Sequence, residues 1–207
     1  MFWDDKIKNF PLTDNLLNNF ESVKKEVLTY INKPNILQDY PNYKIAGYDK
    51  IYEKYWKATP VTLLKEESVS TRTSSTSHGN DENDKIIAYL INQFRINCPL
   101  TYSIIKEEES VGNATNGFIS RLIPGSVINP HVGYTNKYMR IHFGLVCDPE
   151  CKITVGNDTK AWEEGKILAF NDGDKHSVIH NGTNERIILS LDVPVKYLRK
   201  YIVNVLG

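Results

Sequence analysis

A mainly β domain with flanking helices, built as a sandwich or jelly-roll barrel, is the fold class this sequence predicts. Three observations predict it. Apolar residues recur at helical spacing in the first hundred positions, while after Pro99, from about residue 101 to 193, they fall in short runs separated by turn signals. Two of those runs oppose a continuous apolar face to a face of isolated polar groups, as in a sheet covered by helices on one side. Helices first and many short strands afterwards favour one helix-flanked β architecture over an alternating α/β one. With 207 residues a single structural domain is expected: 1–100 as a helical and irregular flank packed on the barrel, 101–207 as the jelly-roll core with a C-terminal helix.

The elements follow in order. Residues 13–32 form a helix, with Thr13 as N-cap and Leu16, Phe20, Val23, Val27 and Ile31 on one face, ended by Pro34. The aromatic, Pro- and Gly-punctuated stretch after it is irregular. "WKATPVTLL" reads as an edge strand, because Pro60 is poorly tolerated in a central one. "KEESVSTRTSSTSHGNDEND" is polar and Ser/Thr-rich, an exposed loop whose His78 is solvated. Residues 83–96 form a second helix with Ile86, Ile87, Leu90, Ile91 and Phe94 on one face. Strands are expected at 101–108, 117–123, 138–146, 151–155, 166–171, 175–180 and 186–193, then a helix at about 194–205.

Composition excludes several classes of function. The 25 basic and 25 acidic residues balance, which argues against nucleic acid and against an anionic membrane surface as partner. No apolar run reaches the ~20 residues that span a bilayer. "MFWDDKIKNF" is charged throughout and is no signal peptide. The odd count of three cysteines (Cys98, Cys147 and Cys151) fits free thiols in a reducing cytosol, so a cytoplasmic protein is expected. Cys147 and Cys151 bracket a turn without two further ligands for zinc.

The polar face carries the chemistry. In "MRIHFGL" Met139, Ile141, Phe143 and Leu145 share one side of the strand; Arg140, His142 and Gly144 share the other. In "RIILSLDV" Arg186, Ile188, Ser190 and Asp192 oppose Ile187, Leu189, Leu191 and Val193. A solvated face carries Lys, Glu and Thr at most positions; Gly144, Ile188 and Ser190 fit the wall of a pocket, which Ser120 of "FISRLIPG" joins. His131, in a Gly/Pro-framed turn, and His176, at the start of a strand, are 45 residues apart, and a jelly roll can bring both to one mouth. Imidazole suits Fe(II), zinc or copper, and many cupin-like barrels place two histidines so. A buried guanidinium needs an anion, either Asp192 or an exogenous dicarboxylate. For His176 and Arg186 both to face inward across a hairpin, the loop between them must hold an odd number of residues, and three or five satisfy that. Trp162 reads as a packing residue at a hairpin, and His180 as structural or at the pocket rim.

The ordered series "SRLIPGSVINPHVGYTNKYMRIHFGLV" and "CKITVGNDTKAWEEGKILAFNDGDKHSVIHNGTNERIILSLDV" resembles the aspartyl/asparaginyl β-hydroxylase family of Fe(II)- and 2-oxoglutarate-dependent dioxygenases. The likeness covers about residues 118–193; the first hundred residues match loosely. It implies a double-stranded β-helix, or cupin-like jelly roll. It implies Fe(II) on His131 and His176, and the distal carboxylate of 2-oxoglutarate on Arg186 with Ser120. Arg140 and His142 would lie near the metal-chelating end. It implies use of O2 and hydroxylation of an sp3 carbon, first the β-carbon of an Asp or Asn residue in a peptide or protein. A free amino acid such as proline or a small biosynthetic intermediate comes second, and a non-catalytic metal-binding module of the same fold third. Most such oxygenases add a carboxylate two residues after the first histidine. Here Gly133 stands there, as in the β-hydroxylases resembling this chain, where water takes the acid's place; a glycine there also suits halide. Asp172 and Asp174 are expected to shape the turn or orient His176. Members acting on acidic side chains tend to carry an arginine where this chain has Tyr138.

Overall fold

The computed structural model describes residues 1–39 (apart from 6 and 8), 56–62, 81–109 and 116–198 (apart from 134). The irregular stretch after Pro34 beyond residue 39, the Ser/Thr-rich stretch up to residue 80 with His78, and the predicted C-terminal helix beyond residue 198 lie outside the described residues.

Two helices, α1 (Pro11–Asn18) and α2 (Phe20–Ile31), stand where one was expected. Pro11 opens α1 at the first helical position, where its missing N–H costs nothing. Thr13 is therefore inside the helix, and its hydroxyl donates back to the Phe10 carbonyl at 2.8 Å. The break falls at Asn19, whose side-chain amide donates to the Asn15 carbonyl and competes with the helical ladder. Strands β1 (Gln38–Asp39) and β2 (Trp56–Thr62) follow, then α3 (Asp81–Asn97) and α4 (Pro99–Glu109). Helix α4 replaces the strand expected at 101–108. Its β-branched run read as extended, but Thr101, Ile104 and Ile105 lie on one buried helical face. The Glu26 carboxylate of α2 accepts from the backbone N–H groups of Leu100 and Thr101 at 3.1 and 2.9 Å, satisfying free donors at the start of the helix. On α3, Leu90 and Phe94 are buried as expected, whereas Ile86 is exposed.

Eight strands make the barrel: β3 (Asn116–Leu122), β4 (Val127–His131), β5 (Tyr138–Val146), β6 (Cys151–Val155), β7 (Asp158–Ala161), β8 (Ile167–Asn171), β9 (His176–His180) and β10 (Arg186–Pro194). Successive strands distribute between two antiparallel sheets, ordered β1-β2-β3-β10-β5-β8 and β4-β9-β6-β7. This is the double-stranded β-helix, with β1 and β2 extending the larger sheet. Strand β4 was not expected, because Pro130 and a bulge between Ile128 and His131 disguise it as a turn. Strand β7 is polar and carries no alternation. A short α5 (Val195–Leu198) follows β10.

The alternation of β5 and β10 sorts the core in two. Met139, Ile141, Phe143, Leu145, Leu189 and Leu191 face outward and pack with Leu12, Val23, Val27 and Phe94 of the helices. Inside the barrel, Leu122, Ile153, Trp162, Phe170, Val178 and Ile188 form a second apolar cluster. The polar side chains of the alternating face share that interior.

Candidate active site

His131 and His176 are direct register partners across β4 and β9, with ring centroids 4.2 Å apart. Each ring is held by its own turn. Nδ1 of His131 lies 2.8 Å from the Asn129 carbonyl, and Nδ1 of His176 lies 2.8 Å from the Asp174 carbonyl. A carbonyl only accepts, so both rings carry their proton on Nδ1 and keep a lone pair on Nε2. Burial pushes both pKa values down, that of His176 to about 4. Both rings are therefore neutral, electron-pair donors at neutral pH.

Arg186 lies on the barrel's inner face and is 2% exposed. Its Nη2 donates to Ser120 Oγ at 3.1 Å, its guanidinium carbon sits 4.8 Å from the centre of the Trp162 ring, and its Nε is buried without a partner. No ion pair to Arg186 occurs among the described residues. Asp192, the candidate partner in the sequence, serves Arg140 instead: Nε and Nη2 of Arg140 donate to its two oxygens at 2.8 and 2.9 Å. Among the described residues Arg186 is thus a buried cation without a carboxylate, and burial lowers its pKa to about 10, leaving it charged. Ser120 accepts from both Arg186 and Trp56 Nε1 (2.8 Å), which leaves its own O–H to donate. The geometry is that of a carboxylate seat.

Arg140 also faces Asp172, with Nη1 2.7 Å from Oδ1. Asp172 in turn lies 4.0 Å from Nε2 of His176. It occupies the space beside Gly133: a Cβ at that position would come within 1.9 Å of Asp172 Oδ2. The absence of a side chain at 133 is therefore enforced by Asp172, in the turn after β8. His142, beside Arg140 on β5, is buried and receives the Trp162 indole N–H on Nδ1 at 3.2 Å. Burial holds its pKa well below the usual imidazole value.

One sequence expectation changes. β9 and β10 are not a hairpin; residues 181–185 cross from one sheet to the other. The odd length still leaves both His176 and Arg186 facing the interior. Asp148 anchors this crossing by accepting from the backbone N–H groups of Thr183 and Asn184 at 3.0 and 2.9 Å. His180 is 1% exposed, which agrees with the structural alternative of its two readings. Trp56 and the pairing of Asp172 escaped the sequence reading; Trp162 is buried as the expected packing residue, against His142 and Arg186. An indole two strands away carries no periodic signal. Cys147 and Cys151 are free thiols near Arg186, pushed up by burial to about 12 and 11.

The donor set fits a divalent metal such as Fe(II). Two imidazoles lie side by side, each with a lone pair on Nε2, and among the described residues no cluster of three or more His, Cys, Asp or Glu completes a closed cage. A two-histidine set leaves positions open for a chelating ligand.

The fold and the site together define a double-stranded β-helix protein with a two-histidine mouth and a buried arginine seat. The chain belongs to the aspartyl/asparaginyl β-hydroxylase family, whose profile, described as Aspartyl/Asparaginyl beta-hydroxylase, matches residues 17–195. It is similar to the human Aspartyl/asparaginyl beta-hydroxylase, 39% identical over 99 residues, 46% of this chain and 13% of that protein. It is similar also to the mouse Aspartate beta-hydroxylase domain-containing protein 2, 36% identical over 102 residues, 46% of this chain and 30% of that one. The chain thus spans less than a third of the length of these curated relatives. Among solved structures, a Cupin 2 conserved barrel domain protein from Salinispora arenicola CNS-205 matches with a TM-score of 0.33 and 11% identity, covering 44% of this chain and 73% of that one. No helix among the described residues is long and apolar enough to cross a membrane.

Proposed function

We propose that this protein is an Fe(II)- and 2-oxoglutarate-dependent dioxygenase that hydroxylates an sp3 carbon. The observation that carries the reading is Arg186: a fully buried guanidinium with no carboxylate among the described residues, in the same barrel as two histidines whose Nε2 atoms carry no proton. Holding such a charge without an anion costs several kcal/mol, which a bound dicarboxylate offsets. His131 and His176 would hold the iron, which when bound supplies O2 activation coupled to oxidative decarboxylation of 2-oxoglutarate to succinate and CO2. Arg186 and the Ser120 hydroxyl bind the distal carboxylate and fix the oxoacid's direction. Arg140 and His142 lie toward its other end. The apolar interior around Phe170, Val178 and Ile188 excludes water from the reacting groups.

Family membership supports the β-carbon of an Asp or Asn residue in a peptide or protein as the target. Arg140 is already engaged by Asp172 and Asp192. That favours uncharged targets, the Asn side chain or a neutral amino acid such as proline, over an Asp carboxylate. The test is anaerobic addition of Fe(II) and 2-oxoglutarate, followed by air and a panel of Asp and Asn peptides and free amino acids. A visible charge-transfer band, succinate, and a substrate gaining one oxygen atom are expected. No band and no succinate with any substrate would overturn the reading in favour of a non-catalytic metal-binding barrel.

A further inference from the structure

Resting on that reading, we infer that Trp162 is the positioning residue for the oxoacid, acting on both of its anchors at once. Its indole N–H sets the tautomer of His142, and its ring face supports the guanidinium of Arg186.

The indole nitrogen is a donor only, so the 3.2 Å contact from Trp162 Nε1 to His142 Nδ1 requires a lone pair on Nδ1. The neutral His142 ring must then hold its proton on Nε2. His131 and His176 are set the other way, because backbone carbonyls hold their protons on Nδ1. Three imidazoles in one barrel are thus divided by their partners into two with a lone pair on Nε2 and one with an Nε2–H donor. His142 is excluded as a metal ligand through Nε2 and is prepared to donate to an oxygen anion. That nitrogen makes no hydrogen bond to the described residues.

The same indole lies under Arg186, 4.8 Å from ring centre to guanidinium carbon. Trp162 is 3% exposed, and it is fixed from β5 itself. Gly165 donates to the Gly144 carbonyl at 2.9 Å, and Gly144 to the Lys166 carbonyl at 3.0 Å. A Cβ at Gly144 would lie 2.2 Å from the Glu163 carbonyl oxygen. Gly144, next after Arg140 and His142 on that face of β5, is the space in which the turn after Trp162 is seated.

Two measurements test this. In the unmutated, metal-free protein with 15N-labelled histidine, long-range proton–nitrogen spectra are expected to show His142 as the Nε2–H tautomer and His131 and His176 as Nδ1–H. His142 as Nδ1–H would overturn the inference, and this result needs no variant and no ligand. Binding of 2-oxoglutarate is then measured with Mn(II), which gives no turnover. Trp162→Phe keeps a ring face and loses the N–H, and weakens binding ~5-fold; Trp162→Leu loses both and weakens it ~30-fold. In a His142→Ala background Trp162→Phe has no further effect, since the lost partner is the same. A folded Trp162→Leu protein with unchanged oxoacid affinity would reduce Trp162 to packing. Failure of the unmutated protein to bind 2-oxoglutarate overturns the oxoacid reading itself and the proposed positioning with it, while the tautomer spectra still decide what the indole does to His142.

Discussion

Replacing Arg186 with methionine is expected to stabilise the ligand-free protein while removing its carboxylate seat. The magnitude follows from burial. In the folded chain the guanidinium pKa falls from the ordinary 12.5 to about 10. A basic group with a lowered folded pKa binds protons more weakly in the native state, so below about pH 10 its charge opposes folding in full. The penalty is about 3 kcal/mol at neutral pH. Methionine fills similar volume without charge, but forfeits the cation–π contact with Trp162, about 1 kcal/mol. The net gain is about 2 kcal/mol, or ~4–8 °C in melting temperature for a domain of this size. Thermal denaturation of metal-free protein measures it. With both proteins already loaded with Mn(II), adding 2-oxoglutarate at ~100 times its dissociation constant raises the unmutated protein's stability by about 2.7 kcal/mol and leaves Arg186→Met unmoved. A variant that melts several degrees lower and still responds to 2-oxoglutarate would refute the reasoning, since Arg186 would then have its counter-ion within the fold.

The other predictions concern the histidines and Gly133. His176→Ala abolishes Mn(II) binding by titration calorimetry, whereas Arg186→Ala retains the metal and loses the oxoacid. The folded His176 pKa of about 4 lies below the unfolded value near 6.5, so the unfolded chain takes up protons first. Stability of the metal-free protein therefore falls as pH drops from about 6.5 to 4, by about 3 kcal/mol from this residue, checked by urea denaturation across that range. Gly133→Asp does not add a metal ligand. Its Cβ meets Asp172, and overpacking lowers stability by ~1–3 kcal/mol with no gain in Mn(II) affinity.

Much of this was legible along the chain because alternation is a local property. In β5 and β10 the two faces are written residue by residue, so Arg140, His142, Arg186 and Ser120 were assignable to one pocket before any pairing was known. The helical flank was legible for the same reason at Val23, Val27, Leu90 and Phe94. Helix α4 was not, because the carboxylate that satisfies its first N–H groups is Glu26 on another helix. Strand β4 was hidden by Pro130, and the split of α1 from α2 by one asparagine.

What the sequence by itself determined is which side chains face the barrel's interior and which face the helices, since the two-residue strand period settles that wherever apolar residues alternate. Only the tertiary structure decided the partnerships: Asp192 with Arg140, Asp172 in the space beside Gly133, Trp162 against His142, and Arg186 without a carboxylate among the described residues. Those depend on which strands become neighbours and in what register, and on two sheets closing over one another. Contacts between residues far apart in the chain leave no period in it.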